Sequence, residues 1–497
     1  MAFKVEETTI AKIHAAYKAR KLTATELVGR YLARIEAYDK KGPTLNSIIT
    51  VNQRAEKDAA KLDAAYKKTR KFVGPLHGIP IVVKDQAETA GIRTTFGSIA
   101  AKDYVPAKDA TAIKKLREAG AIILAKTAMP DFATSWFGYC SMIGETKNPY
   151  DLARDPGGSS GGTGCAVAAN LGAIGLGEDT GGSIRLPASF DNLFGLKVTP
   201  GLISRTGMSP LVVFQDSAGP MCRTMTDLAT LLDVLVGYDP EDPYTSAAVI
   251  AGLPNYTSRL DKHALEGKRI GVLRSAFGDS ANPEAACVNT VIEAAIKSMK
   301  KAGAKIVDVE IPDLMHYIVY SSLYINHSRS AFDEFFKSRP ALGFKTIREL
   351  YDAKRYHPAL DLLEMIAEGP QDPYSDPEYY KRYVTSEQFR RLVINVMGKA
   401  GADALVYPTT QVQSPTRKEL NAGRWKTLEF PTNTLIGAQT WMPSINVPAG
   451  FTKGGVPVGM EILGLPYREG DLIALAYAFE QATHHRRAPA SAPELKG

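Results

Sequence analysis

Leu116 to Ala125 reads LREAGAIILA, and the same pattern returns in Met299 to Val309 (MKKAGAKIVDV) and in Met397 to Val406 (MGKAGADALV). In each copy an amphipathic helix runs into Ala-Gly-Ala and then into an apolar run. Glycine takes the left-handed conformation that stops a helix, and a short apolar run after it reads as a buried strand. Ile79 to Val83, Lys268 to Leu273 and Ser444 to Val447 are further strand candidates. Helices alternating with buried strands predict an α/β fold, a three-layer sandwich whose large central mixed β-sheet is covered by helices on both faces.

Outward from these copies, residues 1–70 read as a helical N-terminal layer. Thr23 and Glu26 form a capping box there, ahead of Leu27, Val28, Tyr31 and Ile35 at helical spacing. Residues 313–385 are rich in Tyr, Phe and His and read as a helical insertion that covers the site. The Pro- and Asp-rich stretches from Tyr238 to Pro243 and from Gly369 to Pro377 read as loops, not linkers, so residues 1–497 are expected to form a single domain.

The chain has 497 residues, 44% hydrophobic and 23% charged, which is the balance of a globular protein with ample core. Its formal charge of +7 is dispersed, as along Arg54 to Lys71, and is not gathered into the patch or stripe that nucleic acid binding calls for. Cys140, Cys165, Cys222 and Cys287 are widely spaced, which suits free thiols in a reducing compartment better than disulfides or a zinc site. The N-terminus has no apolar signal core, and no run reaches the ~18–20 apolar residues that span a bilayer. A cytoplasmic protein that binds neither membrane nor nucleic acid is expected, with a homodimer as the default from common symmetry.

Two glycine-serine loops carry the chemistry. Asp155-Pro-Gly-Gly-Ser-Ser-Gly-Gly162 leads into a helix of small residues from Thr163 to Asn170. Asp179-Thr-Gly-Gly-Ser-Ile-Arg-Leu-Pro187 leaves the apolar run Ala173 to Gly177. A lone Gly-Gly-Ser stretch is usually a flexible turn, but two in tandem between a strand or polar turn and a helix are harder to dismiss. Successive glycines let backbone N–H groups converge on an anion. Neither loop has a phosphate-binding pattern such as Gly-x-x-x-x-Gly-Lys-Ser/Thr. An oxyanion reading instead finds Ser183 beside the N–H groups of Thr180, Gly181 and Gly182. Gly157 to Gly162 also fits a Gly-x-Ser-x-Gly nucleophile elbow, yet that elbow follows an apolar strand, and Asn148 to Pro156 is polar and proline-bounded.

A serine nucleophile needs a base. The eight histidines, His77 among them, lie in no motif with an acid. Lys84 ends the run Ile79-Pro-Ile-Val-Val83, and the C-terminal edge of a strand is where α/β sheets place functional groups. A single lysine is usually a solvated surface residue; burial at a strand end would lower its pKa and make the neutral amine a usable base.

Together, Lys84 after an apolar strand, Gly157 to Gly162 and Asp179 to Arg185 resemble the amidase signature family, with intervals of 75 (84 to 159) and 24 (159 to 183) residues similar to the family's. The resemblance continues through Gly195 to Pro200, Asp216 to Pro220, Asn446 to Gly450 and Val456 to Gly459, and covers about residues 60–487. It implies that Ser183 is the nucleophile, that Ser159, held by a cis peptide bond, is the bridging acid and base, and that Lys84 is the ultimate base. Thr180, Gly181, Gly182 and Ser183 would form the oxyanion hole, and Asp179, Arg185 and Ser160 would brace it. No metal or cofactor is implied.

Family resemblance leaves the substrate open. Phe132, Thr134 and Trp136 in the segment Met129 to Tyr139, and Tyr317, Tyr320 and Tyr324 in the insertion, are the pocket candidates, although an aromatic residue is more often core. Their number favours a small apolar or aromatic amide, anilide or carbamate. The alternative is the glutaminase or amidotransferase A-type component of a tRNA-dependent transamidation complex.

Overall fold

The structure, a computed structural model, describes residues 3–252 and 255–495. Among the described residues, thirteen strands follow in chain order: β1 Ile48–Val51, β2 Pro80–Lys84, β3 Ile122–Thr127, β4 Tyr139–Cys140, β5 Gly144–Glu145, β6 Ile174–Asp179, β7 Phe194–Lys197, β8 Ser217–Cys222, β9 Arg269–Leu273, β10 Lys305–Val309, β11 Ala404–Pro408, β12 Ser444–Phe451 and β13 Pro457–Leu463. Eleven form one sheet in the order β1-β3-β2-β6-β8-β7-β12-β13-β11-β9-β10, and β4 pairs with β5 apart from it.

The three Ala-Gly-Ala copies behave as read. Helices Thr111–Glu118, Pro283–Lys301 and Pro377–Ala400 lead into β3, β10 and β11, through Gly120, Gly303 and Gly401 at φ of +89°, +96° and +58°. The sheet is mixed in a particular way. Two parallel triples, β3-β2-β6 and β11-β9-β10, stand toward its ends, joined by the antiparallel strands β8, β7, β12 and β13.

Strand alternation divides the core into two layers. Ala404 and Val406 of β11, with Met460 and Ile462 of β13, face a core shared with the N-terminal helices and with helices Met225–Leu235 and Glu469–Thr483. Leu405, Tyr407 and Leu463 face the opposite way, into a core shared with the aromatic segment. The expected three-layer α/β sandwich is what the chain forms.

Two readings need correction in detail. The N-terminal layer has the predicted helices Ile10–Lys18, Ala24–Arg34 and Ala55–Thr69, the second with its Thr23 and Glu26 capping box, but it also contains β1, an edge strand antiparallel to β3. Four successive β-branched residues, Ile48-Ile49-Thr50-Val51, favour that strand locally. The aromatic segment is helical, with Leu314–Tyr320, Tyr324–Lys337, Ile347–Asp352 and Asp361–Glu368, yet residue 385 falls inside the helix Pro377–Ala400, which feeds β11.

Among the described residues, no helix is long and apolar enough to cross a membrane.

Candidate active site

β2 and β6 are adjacent and parallel, with Val83 opposite Leu176, so the residues at their C-terminal ends share one edge. Lys84 ends β2, and Ser183 lies in the turn of residues 180–184 that leads from β6 into helix Arg185–Phe190. Ser159 lies in the loop before helix Gly161–Ala168, and the Gly158–Ser159 peptide is cis.

Lys84 Nζ lies 2.8 Å from Ser159 Oγ, 3.0 Å from the Glu178 carbonyl oxygen and 3.1 Å from Glu178 Oε2. Lys84, Ser159 and Glu178 are all buried. Burial pushes the Lys84 ammonium below its ordinary pKa against the pull of Glu178, and it raises the Glu178 carboxyl to about 7 against the pull of Lys84. No described hydrogen bond links Ser159 Oγ to Ser183 Oγ. The two loops are joined through Ser160, whose N–H donates to the Ser183 carbonyl at 3.0 Å and whose Oγ donates to the Glu178 carbonyl at 3.1 Å.

Asp179 and Arg185 shape the second loop. Asp179 accepts from the N–H groups of Gly182 (2.7 Å) and Ile184 (3.0 Å), and from Arg185 Nε and Nη2, both at 3.0 Å. Burial alone would raise the Asp179 carboxyl, but the Arg185 guanidinium outweighs it and holds the carboxyl below its ordinary value. Arg185 Nη1 donates onward to Glu461 Oε2 (2.9 Å), the Thr434 carbonyl (2.8 Å) and Ser444 Oγ (2.9 Å). A buried guanidinium that donates from all three of its nitrogens ties the turn to β12 and β13. Asp155 braces the first loop, accepting from Gly157 N–H at 2.7 Å and pairing with Arg417 at 2.7 Å.

The oxyanion-hole expectation changes at one position. Gly182 donates its N–H inward to Asp179, whereas no described hydrogen bond uses the N–H of Thr180, Gly181 or Ser183. The role left to Gly182 is conformational: its φ is +133°, and a Cβ there would lie 2.7 Å from Thr434 Cβ. A Cβ on Gly181 would collide with Tyr324 Oη and lie 3.2 Å from Leu435 Cδ2.

The pocket candidates also sort differently from the expectation. Phe132 is buried against Phe336 (5.1 Å between ring centroids) and Phe96 (5.8 Å), and Thr134 donates to the Asp131 carbonyl at 2.7 Å, so both belong to the packing. Trp136 is buried edge-to-face with Tyr324 at 6.4 Å. Of the three insertion tyrosines, Tyr324 reaches the second loop, while Tyr317 stacks on Phe389 and Tyr320 lies half exposed against His316. Tyr324 and Leu435 also border a cavity of about 300 Å³, whose apolar wall includes Met315, Ile318, Leu428 and Phe430 and which also carries Gln411, Asn433, Gln439 and Glu429.

Sequence reasoning passed over Glu178, which precedes a motif residue, and Glu461, which is remote in the chain. Asp216 stood in a quoted motif without a role; it accepts from Thr180 Oγ1 at 2.6 Å, and the same hydroxyl lies 3.2 Å from Glu178 Oε1. A charged residue at the end of an otherwise apolar, buried strand is the signal that could have singled out Glu178.

A lysine–serine contact at the ends of parallel strands, beside a serine on a glycine turn with free N–H groups, is an arrangement suited to acyl transfer from an amide. A family profile described as Amidase matches residues 26–473, and the chain belongs to the amidase family, the amidase signature enzymes that hydrolyse amide C–N bonds. It is 33% identical over 502 residues to the A-type component of the Glutamyl-tRNA(Gln) amidotransferase of Heliobacterium modesticaldum, covering 97% of this chain and 98% of the relative. Among solved structures it is similar to native peptide amidase from Stenotrophomonas maltophilia, with a TM-score of 0.87 at 33% identity over 97% of this chain and 98% of that one. It is also similar to the A-type component of the Glutamyl-tRNA(Gln) amidotransferase from Thermotoga maritima, with a TM-score of 0.77 at 25% identity over 98% and 99%.

Proposed function

We propose that the chain is an amidase for a small, apolar or aromatic amide, anilide or carbamate, and that it works through an acyl-enzyme on Ser183. Neutral Lys84 takes the proton of Ser159, Ser159 takes that of Ser183, and Ser183 Oγ attacks the carbonyl carbon. The amine leaves with a proton returned through Ser159, and water repeats the path to release the acid. The N–H groups of Thr180, Gly181 and Ser183 are assigned to the oxyanion, each such donor typically contributing about 10²–10³ in rate. Turnover is expected to rise with pH through the ionisation that frees the Lys84 amine.

The observation that carries this reading is the buried 2.8 Å contact between Lys84 and Ser159, on the same edge as the Ser183 turn. The cavity bordered by Tyr324 and Leu435, the two side chains that stand against Gly181, supports the substrate class, since most of its wall is apolar and none of its lining side chains is basic. The similarity to amidotransferase A-type components favours a second reading, in which glutamine is the amide and partner chains receive the ammonia. A glutamine α-carboxylate would call for a cation that this cavity does not line up.

Hydrolysis of an aryl amide, an anilide, a fatty amide, a carbamate and glutamine by wild type and by Ser183→Ala tests both. Turnover of the apolar members, lost in Ser183→Ala, is expected. Survival at the wild-type level would overturn the mechanism, and ammonia release from glutamine alone would select the second reading.

A further inference from the structure

Lys84 Nζ has three close neighbours, and two of them belong to Glu178. The Glu178 carbonyl oxygen at 3.0 Å is an acceptor and nothing else, and so is its carboxylate Oε2 at 3.1 Å whenever that group is ionised. A neutral amine has two N–H bonds and one lone pair. With both N–H bonds occupied by Glu178, the lone pair is left for the third neighbour, Ser159 Oγ at 2.8 Å, whose hydrogen it must then receive.

We propose that Glu178 is a positioning residue for the base: it aims the lone pair of Lys84 at Ser159, and its carboxylate then holds the ammonium that forms when the proton arrives. The inference rests on the Lys84, Ser159 and Ser183 assignment above. In the step concerned, the Ser159 O–H bond breaks, an N–H bond forms on the Lys84 lone pair, and Ser159 regains a proton from Ser183. Positive charge thus appears on Lys84 inside a dry site, where a carboxylate in contact is worth far more than in water.

The carboxylate is itself held. Thr180 Oγ1 lies 3.2 Å from Glu178 Oε1 and donates to Asp216 at 2.6 Å, and Asp216 is fixed by the N–H groups of Leu211 (2.9 Å) and Val212 (3.0 Å). Glu178 and Asp216 both border a second cavity of about 380 Å³, which shares no lining residue with the cavity bordered by Tyr324 and Leu435. The charged groups around Glu178 are Lys84 from β2, the neighbouring Asp179, and Asp216; across the cavity stand Arg205, Glu241, Glu334 and Arg339.

Glu178→Gln tests the proposal, because the side-chain amide oxygen can still accept from Lys84 while the charge is gone. The expected result is a kcat lowered about 10- to 100-fold with KM unchanged, the range that follows from one charged hydrogen bond. The acid limb of the pH–rate profile should move to lower pH by about 1–3 units, since burial then acts on Lys84 without the opposing carboxylate. A profile superimposable on wild type, or a raised KM with kcat intact, would overturn the proposal. If Glu178→Gln does not fold, Glu178→Asp carries the test: it keeps the charge, so a lowered kcat with the acid limb at the wild-type pH is expected, and a displaced limb overturns it. Ser183→Ala run in parallel separates the two levels. Turnover surviving in that variant removes the underlying mechanism, whereas an inactive Ser183→Ala beside an unaltered Glu178→Gln removes the role of Glu178 alone.

Discussion

Replacing Arg185 by Met should destabilise the protein far more at neutral than at acid pH. Arg185 is buried, with two bonds to Asp179, one to Glu461, one to the Thr434 carbonyl and one to Ser444 Oγ. Removing one partner of a buried ion pair costs about 3–5 kcal/mol, because the other charge stays buried without its counterion. The two neutral acceptors lose about 1 kcal/mol apiece. Roughly 5 kcal/mol or more is therefore expected at neutral pH.

The pH dependence follows from Asp179. In the wild type its carboxyl is held below the ordinary value by Arg185, so its contribution is fully present above the unfolded pKa of about 3.9 and fades as pH falls through the folded value. In Arg185→Met, burial acts alone and raises the same carboxyl. The native state then keeps a proton that the unfolded state has lost, and stability declines as pH rises above about 4. The gap between variant and wild type should thus widen from pH 4.5 to pH 7.5. Denaturant unfolding followed by tryptophan fluorescence at the two pH values measures it. A loss below about 1 kcal/mol at pH 7.5, the scale of an ordinary surface change, would refute the reasoning, as would a gap that does not shrink at pH 4.5.

Lys197 is buried in the middle of the sheet with a single 3.4 Å bond, to the Val198 carbonyl, and burial together with Arg185 pushes its pKa down to about 7. Between that value and about 10.4 the unfolded state binds the proton and the native state does not, so Lys197→Met should stabilise the protein by about 1–4 kcal/mol at pH 7. The gain should vanish near pH 10.5, and a thermal-unfolding series across pH reads it directly. Gly182→Ala places a Cβ against Thr434 at a φ of +133°, which side chains rarely adopt, and should cut kcat by about 10²–10³ through displacement of the Ser183 turn. A Gly182→Ala enzyme with wild-type kcat would show that the turn has room to spare.

Much of the fold was readable from local pattern. Three helix–glycine–strand copies have their signal within ten or eleven residues, and the structure returns each with its glycine at positive φ. The antiparallel middle of the sheet was not readable in that way: β12 and β13 pair with each other as a local hairpin, but their outer neighbours, β7 and β11, come from distant parts of the chain and leave no mark in local periodicity. At the site, Lys84 was singled out by its place at the end of an apolar run, and the two loops by their glycine and serine content. Gly182 did not, because whether an N–H faces inward or outward depends on where Asp179 stands, and that is a matter of three-dimensional geometry. Phe132 and Tyr324 look alike as sequence; which of them packs and which borders a cavity is decided by elements some two hundred residues apart in the chain.

The link from Arg185 to Glu461 spans 276 residues. Every atom assigned to the chemistry is synthesised by residue 183, yet the brace that holds the second loop follows 276 residues after Arg185. A ribosome-bound chain, or a proteolytic fragment, that stops before β13 carries Lys84, Ser159 and Ser183 without the latch. Such late closure is characteristic of topologies rich in distant contacts, and it defers the shaping of the Ser183 turn until β13 has been added to the sheet.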